Sequence, residues 1–348
     1  LANKKDKPTN TISRIKQIRK KQISSEALVD GIFKGDKTIL AKAITLLEST
    51  KAEHFEKANA VVEKCLSKPN SSIRIGITGV PGVGKSTFIE VLGKTLTALD
   101  KKVAVLAVDP SSSLSKGSIL GDKTRMEMLA KDPKAFIRPS PSRESLGGVA
   151  QKTRESIILC EAAGYDVILV ETVGVGQSEI MVHSMVDFFL LLKLSGAGDE
   201  LQGIKRGIME MADAIAINKA DGKNLERAEL AKVEFSRALH LYPPKENGWV
   251  PKVMSCSAIE NTGIVEIWDM IQECISQNRD NGYFEGNRKK QSKNWFLQTV
   301  DEHLKQYFHK QKFFKTIQDE MLKAIAENKI SPFYAAKTLL ERVTKELK

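Results

Sequence analysis

An α/β fold built on a mostly parallel sheet flanked by helices is what this 348-residue sequence predicts, and three observations carry the prediction. Short apolar runs alternate with stretches of helical periodicity through the middle of the chain. One of those runs leads directly into a glycine-rich octapeptide that itself leads into a helical pattern. Both ends of the chain carry helical spacing without a strand pattern of their own. Alternation of this kind requires crossover helices, hence parallel strands covered on both faces. The expected organisation is a helical extension over 1–70, a central α/β domain over 71–280 and a helical arm over 281–348.

In chain order, Asp36 is placed to cap a helix carrying Leu40, Ala43, Ile44 and Leu47 on one face, and His54, Ala58, Val61, Val62 and Cys65 repeat that spacing. From Ile73 the pattern changes to strands: Ile73 to Thr78, Val103 to Val108, Val167 to Val170, Val186 to Leu192, Ala214 to Ile217 and Val250 to Met254. The basic stretch from Arg288 to Lys293 reads as a connector. Beyond it, Phe296, Val300, Leu304 and Tyr307 mark one helix, and Phe314, Ile317, Met321 and Ala324 another. Ser331-Pro332 opens a last helix with Ala336, Leu340, Val343 and Leu347.

Composition narrows the class. At 41% hydrophobic residues there is ample material for a core, and no apolar run approaches the ~18 residues of a membrane span. The lysine-rich start lacks an apolar signal core, so a cytoplasmic protein with no membrane partner is expected. Four scattered cysteines form no C-x-x-C pair and read as small buried hydrophobes. The net charge of +11 comes disproportionately from the ends. No aromatic residues interleave with the N-terminal lysines and arginines to stack on bases, so a solvated extension is expected rather than a nucleic-acid tether.

The octapeptide Gly79-Val80-Pro81-Gly82-Val83-Gly84-Lys85-Ser86 is a complete G-x-x-x-x-G-K-[ST] phosphate loop, with a strand before it and a helix beginning at Thr87 after it. The glycines let backbone wrap a phosphate, the helix N-terminus favours anions, Lys85 reaches the β/γ-phosphates and the Ser86 hydroxyl is left for Mg²⁺. The fold is thus that of a P-loop NTPase. Asp109 and Glu171 each end a strand, on the sheet edge where open α/β sheets place ligands. An acid there can hold Mg²⁺ or its waters, and Gly174, three residues after Glu171, can bring an amide to the γ-phosphate.

The base is read by Asn218-Lys219-Ala220-Asp221, an N-K-x-D sequence at a strand end. Guanine offers N1–H and N2–H₂ donors that one carboxylate, Asp221, accepts together, whereas adenine presents an acceptor at N1. Ser257 and Ala258 follow the next strand as backbone support for the guanine O6. The nucleotide pair expected is GTP and GDP.

Longer stretches carry a resemblance. Val108 to Ser112, Gly121 to Met126, Glu171-Thr172-Val173-Gly174-Val175-Gly176-Gln177-Ser178-Glu179 and the segment Gly196 to Gly207 resemble the MeaB/ArgK/MMAA family, GTPase chaperones of adenosylcobalamin-dependent acyl-CoA mutases within the SIMIBI class of phosphate-loop proteins. The likeness runs from about Ser25 to near the C-terminus. The last two stretches are the most specific, because ordinary GTPases have Asp where Glu171 stands and lack the Gly196 to Gly207 segment.

The resemblance implies a homodimer held by the C-terminal arm, with an acyl-CoA mutase, usually methylmalonyl-CoA mutase, as client. It implies that Ser86, Asp109, Asp122 and Glu171 surround Mg²⁺, that Gly79 to Thr87 hold the phosphates, and that Asn218, Lys219, Asp221, Ser257, Ala258 and Ile259 hold the guanosine. It also implies that Gln202 and Lys205 approach the nucleotide when the mutase is bound, which makes Lys85, Glu171 and Lys205 the catalytic candidates. The position directly after the switch glycine, where familiar GTPases carry a water-positioning glutamine, is Val175, so slow intrinsic hydrolysis is expected. Two alternatives fit less well. A nickel-insertion maturation GTPase commonly carries a histidine-rich or Cys/His metal site, which is missing here. A kinase or ATPase linked to amino-acid transport conflicts with the guanine-reading Asp221.

Overall fold

The computed structural model describes residues 23–49, 51–68, 70–108, 126–140, 146–172, 178–196 and 206–346. Three helices come first: α1 (Ser25–Phe33), α2 (Lys37–Leu47) and α3 (Ala52–Leu66). Ser24 caps α1 by accepting the Ala27 amide, and the Asp36 carboxylate caps α2 by accepting the amides of Thr38 and Ile39 at 2.8 and 3.1 Å. Leu40, Ala43, Ile44 and Leu47 are all buried on α2, each large one contributing roughly 1.5–3 kcal/mol of transfer free energy.

The α/β core follows, in the order β1 (Ile73–Gly79), α4 (Lys85–Ala98), β2 (Val103–Val108), α5 (Glu127–Ala130), β3 (Ala135–Ser140), α6 (Leu146–Ala162), β4 (Val167–Thr172), α7 (Ser178–His183), β5 (Phe188–Leu194), α8 (Arg206–Met211), β6 (Ala214–Asn218), α9 (Leu225–Leu239), β7 (Lys252–Ser255) and α10 (Ile264–Asp280). These strands form one sheet of order β3-β2-β4-β1-β5-β6-β7, and every pairing is parallel. Central strands such as β2, VAVLAV, and β5, FFLLLKL, are apolar almost throughout because helices cover both of their faces. On one face Phe88, Ile89, Leu92 and Leu96 of α4 and Ile267, Ile271 and Cys274 of α10 close over Ile75, Ile77, Val105 and Leu190. The preface helices α1, α2 and α3 pack against α6. All four cysteines are buried and unlinked.

The strand β3 has no counterpart in the sequence reading. Arg138 and Pro139 interrupt its apolar run, and both belong there: β3 is an edge strand, where a proline costs no ladder donor that matters, and the Arg138 guanidinium leaves the sheet for Glu48 and Thr45. The stretch from Arg288 to Lys293 is not a connector either. It lies inside α11 (Tyr283–Lys310), a continuous helix. Arg288 is drawn in by Asp187, to which its Nε and Nη2 both donate, and by the carbonyl of Ser72.

The chain divides into two compact units, one ending at Arg288 and one beginning at Lys289. In the second, α12 (Lys312–Ala326) and α13 (Pro332–Glu346) pack together through Phe314, Ile317, Met321, Ala335 and Val343. The buried face of α13 therefore includes Ala335, one position from the predicted Ala336, which is exposed. On α11, Phe296, Leu297, Val300, Leu304 and Tyr307 are exposed. No helix among the described residues is long and apolar enough to cross a membrane.

Candidate functional site: a phosphate loop joined to an N-K-x-D segment

Strand order builds the site. Placing β4 beside β1 brings Glu171, at the end of β4, against the start of α4, although 85 residues separate it from Ser86 in sequence. The Ser86 hydroxyl donates to Glu171 Oε1 at 3.0 Å. Just behind, Thr172 Oγ1 donates to Thr78 Oγ1 at 2.8 Å, a fully buried bond that ties β4 to β1 one residue before the loop.

The loop from Gly79 to Gly84 depends on two glycines. Gly79 has φ +152°, and a Cβ there would sit 2.6 Å from the Leu192 carbonyl oxygen on β5. Gly84 has φ +93°, and a Cβ there would come within 2.8 Å of Asn218 Nδ2. Any side chain at either position would push the loop off the neighbouring strands. Lys85 lies under the loop, its Nζ donating to the carbonyls of Gly79 at 2.8 Å and Val80 at 3.2 Å. Burial pulls the Lys85 ammonium below the ordinary lysine value, and the carboxylates of Glu171 and Glu179 oppose that pull.

The N-K-x-D segment is fastened to the loop. Asn218, at the end of β6, is buried and donates from Nδ2 to the Val83 carbonyl at 2.8 Å. Its Oδ1 accepts the Ala258 amide at 3.3 Å and faces the Cys256 thiol at 3.7 Å. Lys219 donates to the Gly82 carbonyl at 2.9 Å, from a backbone with φ +61°. A non-glycine residue in this left-handed region costs about 1–2 kcal/mol, here offset by that bond and by Asn224, whose Nδ2 donates to the Lys219 carbonyl at 2.6 Å. Ser257, fully buried, donates from Oγ to Asp221 Oδ2 at 2.6 Å and so orients the carboxylate.

The structure thus brings together Gly79, Val80, Val83, Gly84, Lys85, Ser86 and Glu171 on one side and Asn218, Lys219, Asp221, Ser257 and Ala258 on the other. Pro81, Gly82 and Thr87 line the exposed side of the loop, and Ile259 is exposed beside Ala258. Asp109, Asp122, Gln202 and Lys205 lie outside the described residues. The oxygens of Ser86 and Glu171 make a donor set suited to a hard cation. Among the described residues there is no group of three or more His, Cys, Asp and Glu side chains able to hold a metal. Asn224 was not singled out by the sequence reading, which read Cys256 only as one of four buried cysteines. Neither residue belongs to a motif, and only the folded topology brings Asn224 to Lys219 and Cys256 to Asn218.

Residues 40–312 match the sequence model of the family described as Methylmalonyl Co-A mutase-associated GTPase MeaB. The chain belongs to this MeaB family. Within its range of relatives, the chain is 44% identical over 307 residues to GTPase ArgK of Escherichia coli (strain K12), an alignment covering 88% of this chain and 93% of ArgK. It is 43% identical over 332 residues to the mitochondrial Methylmalonic aciduria type A homolog of Mus musculus, covering 92% of this chain and 80% of that protein. Among solved structures, one described as LAO/AO transport system kinase is 37% identical, superposes with a TM-score of 0.75, and covers 92% of this chain and 97% of its own. MeaB membership makes the chain a GTPase, with GTP and GDP as its nucleotides.

Proposed function

We propose that this MeaB-family chain is a GTP-driven chaperone that gates adenosylcobalamin loading into a cobalamin-dependent acyl-CoA mutase and protects that enzyme, with methylmalonyl-CoA mutase as the client. The observation that carries this reading is the family match over residues 40–312, on a chain whose base-reading and phosphate loops are hydrogen-bonded into one unit through Asn218 and Lys219. A site so joined can transmit the state of its phosphates to surrounding segments.

In this reading the backbone N–H groups from Gly79 to Thr87, Pro81 excepted, hold the phosphates at the N-terminus of α4. Lys85 meets the β/γ-oxygens, and Asp221 accepts both guanine donors while Asn218, Lys219 and Ser257 to Ile259 frame the ring. Ser86 and Glu171, with Asp109 and Asp122 from outside the described residues, would hold Mg²⁺. When bound, that ion neutralises charge on the β- and γ-oxygens. The residue directly after Gly174, Val175, offers no polar side chain to orient the attacking water, and the nearest glutamine is Gln177, so in this reading intrinsic hydrolysis is slow. The mutase then speeds it by ordering the segment from Gly196 to Gly207 and bringing Lys205 to the γ-phosphate, a type of gain that reaches on the order of 10³–10⁵ in other GTPases. The chain works as a homodimer through residues 281–348, where α11 presents its exposed apolar stripe.

The test is gel filtration with purified methylmalonyl-CoA mutase. Co-elution in the presence of a non-hydrolysable GTP analogue is expected. Separate elution in every nucleotide state contradicts the client assignment.

A further inference from the structure

Asn224 joins the N-K-x-D segment to the end of a strand that carries no motif residue. It closes the short 3₁₀ turn Gly222–Asn224 and is half-buried. Its backbone N–H donates to the Asp221 carbonyl at 2.9 Å and its Nδ2 to the Lys219 carbonyl at 2.6 Å, while its Oδ1 accepts from Ser195 Oγ at 2.5 Å. Ser195 directly follows β5, which lies between β1 and β6 and pairs Leu194 with Asn218. The turn after β6 is thus pinned to the neighbouring strand end.

The side-chain amide can face only one way. A backbone carbonyl only accepts, so the atom against Lys219 must be the Nδ2 donor, which leaves Oδ1 for Ser195 and makes that hydroxyl a donor. Ser195 therefore fixes the orientation that Lys219 requires. Lys219 requires it because its backbone is left-handed, at φ +61°, a region strained for any residue with a Cβ. From that backbone Lys219 Nζ reaches the Gly82 carbonyl at 2.9 Å, and the chain passes from Asn218, bonded to the Val83 carbonyl, to Asp221. An unbroken line of hydrogen-bonded residues runs from Ser195 through Asn224 and Lys219 to the phosphate loop.

We propose that Asn224, oriented by Ser195, is a positioning residue for guanine recognition: it holds the left-handed backbone of Lys219, and with it the spacing of Asn218 and Asp221, and so sets guanine-nucleotide affinity through Lys219 rather than by a contact of its own. Without the amide, Lys219 relaxes toward an ordinary backbone conformation. Each binding event must then reverse that relaxation, which lowers affinity by the fraction of molecules still in the competent shape.

The inference rests on the nucleotide-site reading, and titrating the full chain with GDP in EDTA separates the two. Asn224→Asp keeps the shape and the acceptor for Ser195 but sets an oxygen against the Lys219 carbonyl, so GDP affinity should fall about tenfold. Ser195→Ala should lose roughly fivefold, whereas Ser195→Thr, which keeps the hydroxyl, should restore near wild-type binding. Asn224→Ala and the double variant Ser195→Ala/Asn224→Ala should bind GDP alike, because the hydroxyl acts only through the amide. Unchanged affinity in Asn224→Asp overturns the proposal. So does a threonine variant as weak as the alanine one, which would assign the effect to packing, and so do losses that simply add in the double variant. If melting shows that Asn224→Asp does not fold, the Ser195→Ala and Ser195→Thr pair decides alone. A wild-type chain that does not bind GDP would overturn the site reading, whereas one that binds it as tightly as its variants would overturn this inference only.

Discussion

In the proposed reading, a single carboxylate at Asp221 separates two purines. Ser257 fixes its orientation with a 2.6 Å hydrogen bond, and the carboxylate can accept two donors from guanine while meeting only an acceptor at the adenine N1. Asp221→Asn should lower GTP affinity by about 2 kcal/mol, roughly thirtyfold, because a charged acceptor is replaced by an amide. The same variant should favour xanthosine triphosphate, whose C2 carbonyl accepts from the new amide. Competition between the three triphosphates measures both effects, and equal competition by ATP in the wild type would contradict the base-reading role. The motif residues were legible because each is defined by local sequence: glycines that permit the loop, Lys85 and Ser86 at fixed offsets, N-K-x-D at a strand end. Asn224 and Cys256 were not legible, because what gives them meaning is a neighbour brought to them by the fold. The Ser86–Glu171 bond is the intermediate case, since sequence placed both at strand or helix ends and only the β1–β4 pairing brings them together.

Among the elements, the turn between α5 and β3 shows how an edge strand missed by periodicity is held in place. Asp132 accepts from Lys94 Nζ and Thr97 Oγ1 of α4, both at 2.8 Å, and from the Lys134 amide, while Lys37 of α2 donates to the Asp132 carbonyl at 3.0 Å. The Lys94 bond, followed by the Lys134 amide and Thr97, overcomes burial and holds this carboxyl down at about 2. Its folded value is depressed, so its stabilisation is present above the ordinary aspartate range and is lost as pH falls from about 4 to about 2. Asp132→Asn should therefore melt lower than wild type at neutral pH, with the gap closing as pH falls toward 2. Melting curves across that range check it, and a gap independent of pH would assign the loss to packing. The strands β1, β2, β4, β5 and β6 were readable because burial on both faces demands uninterrupted apolar residues. β3 was not, because an edge strand can carry Arg138 and Pro139. The connector expected at Arg288 became helix because Asp187 and Ser72 give that arginine partners that solvent exposure would not.

For the whole molecule, the proposal joins two claims, assembly and partner-controlled hydrolysis. Deleting residues from Trp295 onward should leave a folded monomer that still binds GTP, because α12 and α13 form their own apolar cluster and the nucleotide site lies wholly before Arg288. Light scattering that still reports a dimer would place the interface elsewhere. The central claim is that a cobalamin-dependent mutase controls the GTPase through Lys205, and single-turnover GTP hydrolysis with and without purified methylmalonyl-CoA mutase tests it most directly. The account predicts slow hydrolysis by the chain alone, strong acceleration by the mutase, and a Lys205→Ala variant that keeps the slow rate and GTP affinity while losing most of the acceleration. Undiminished acceleration in the variant would contradict the role of Lys205, and a wild-type rate unchanged by the mutase would contradict the chaperone function itself.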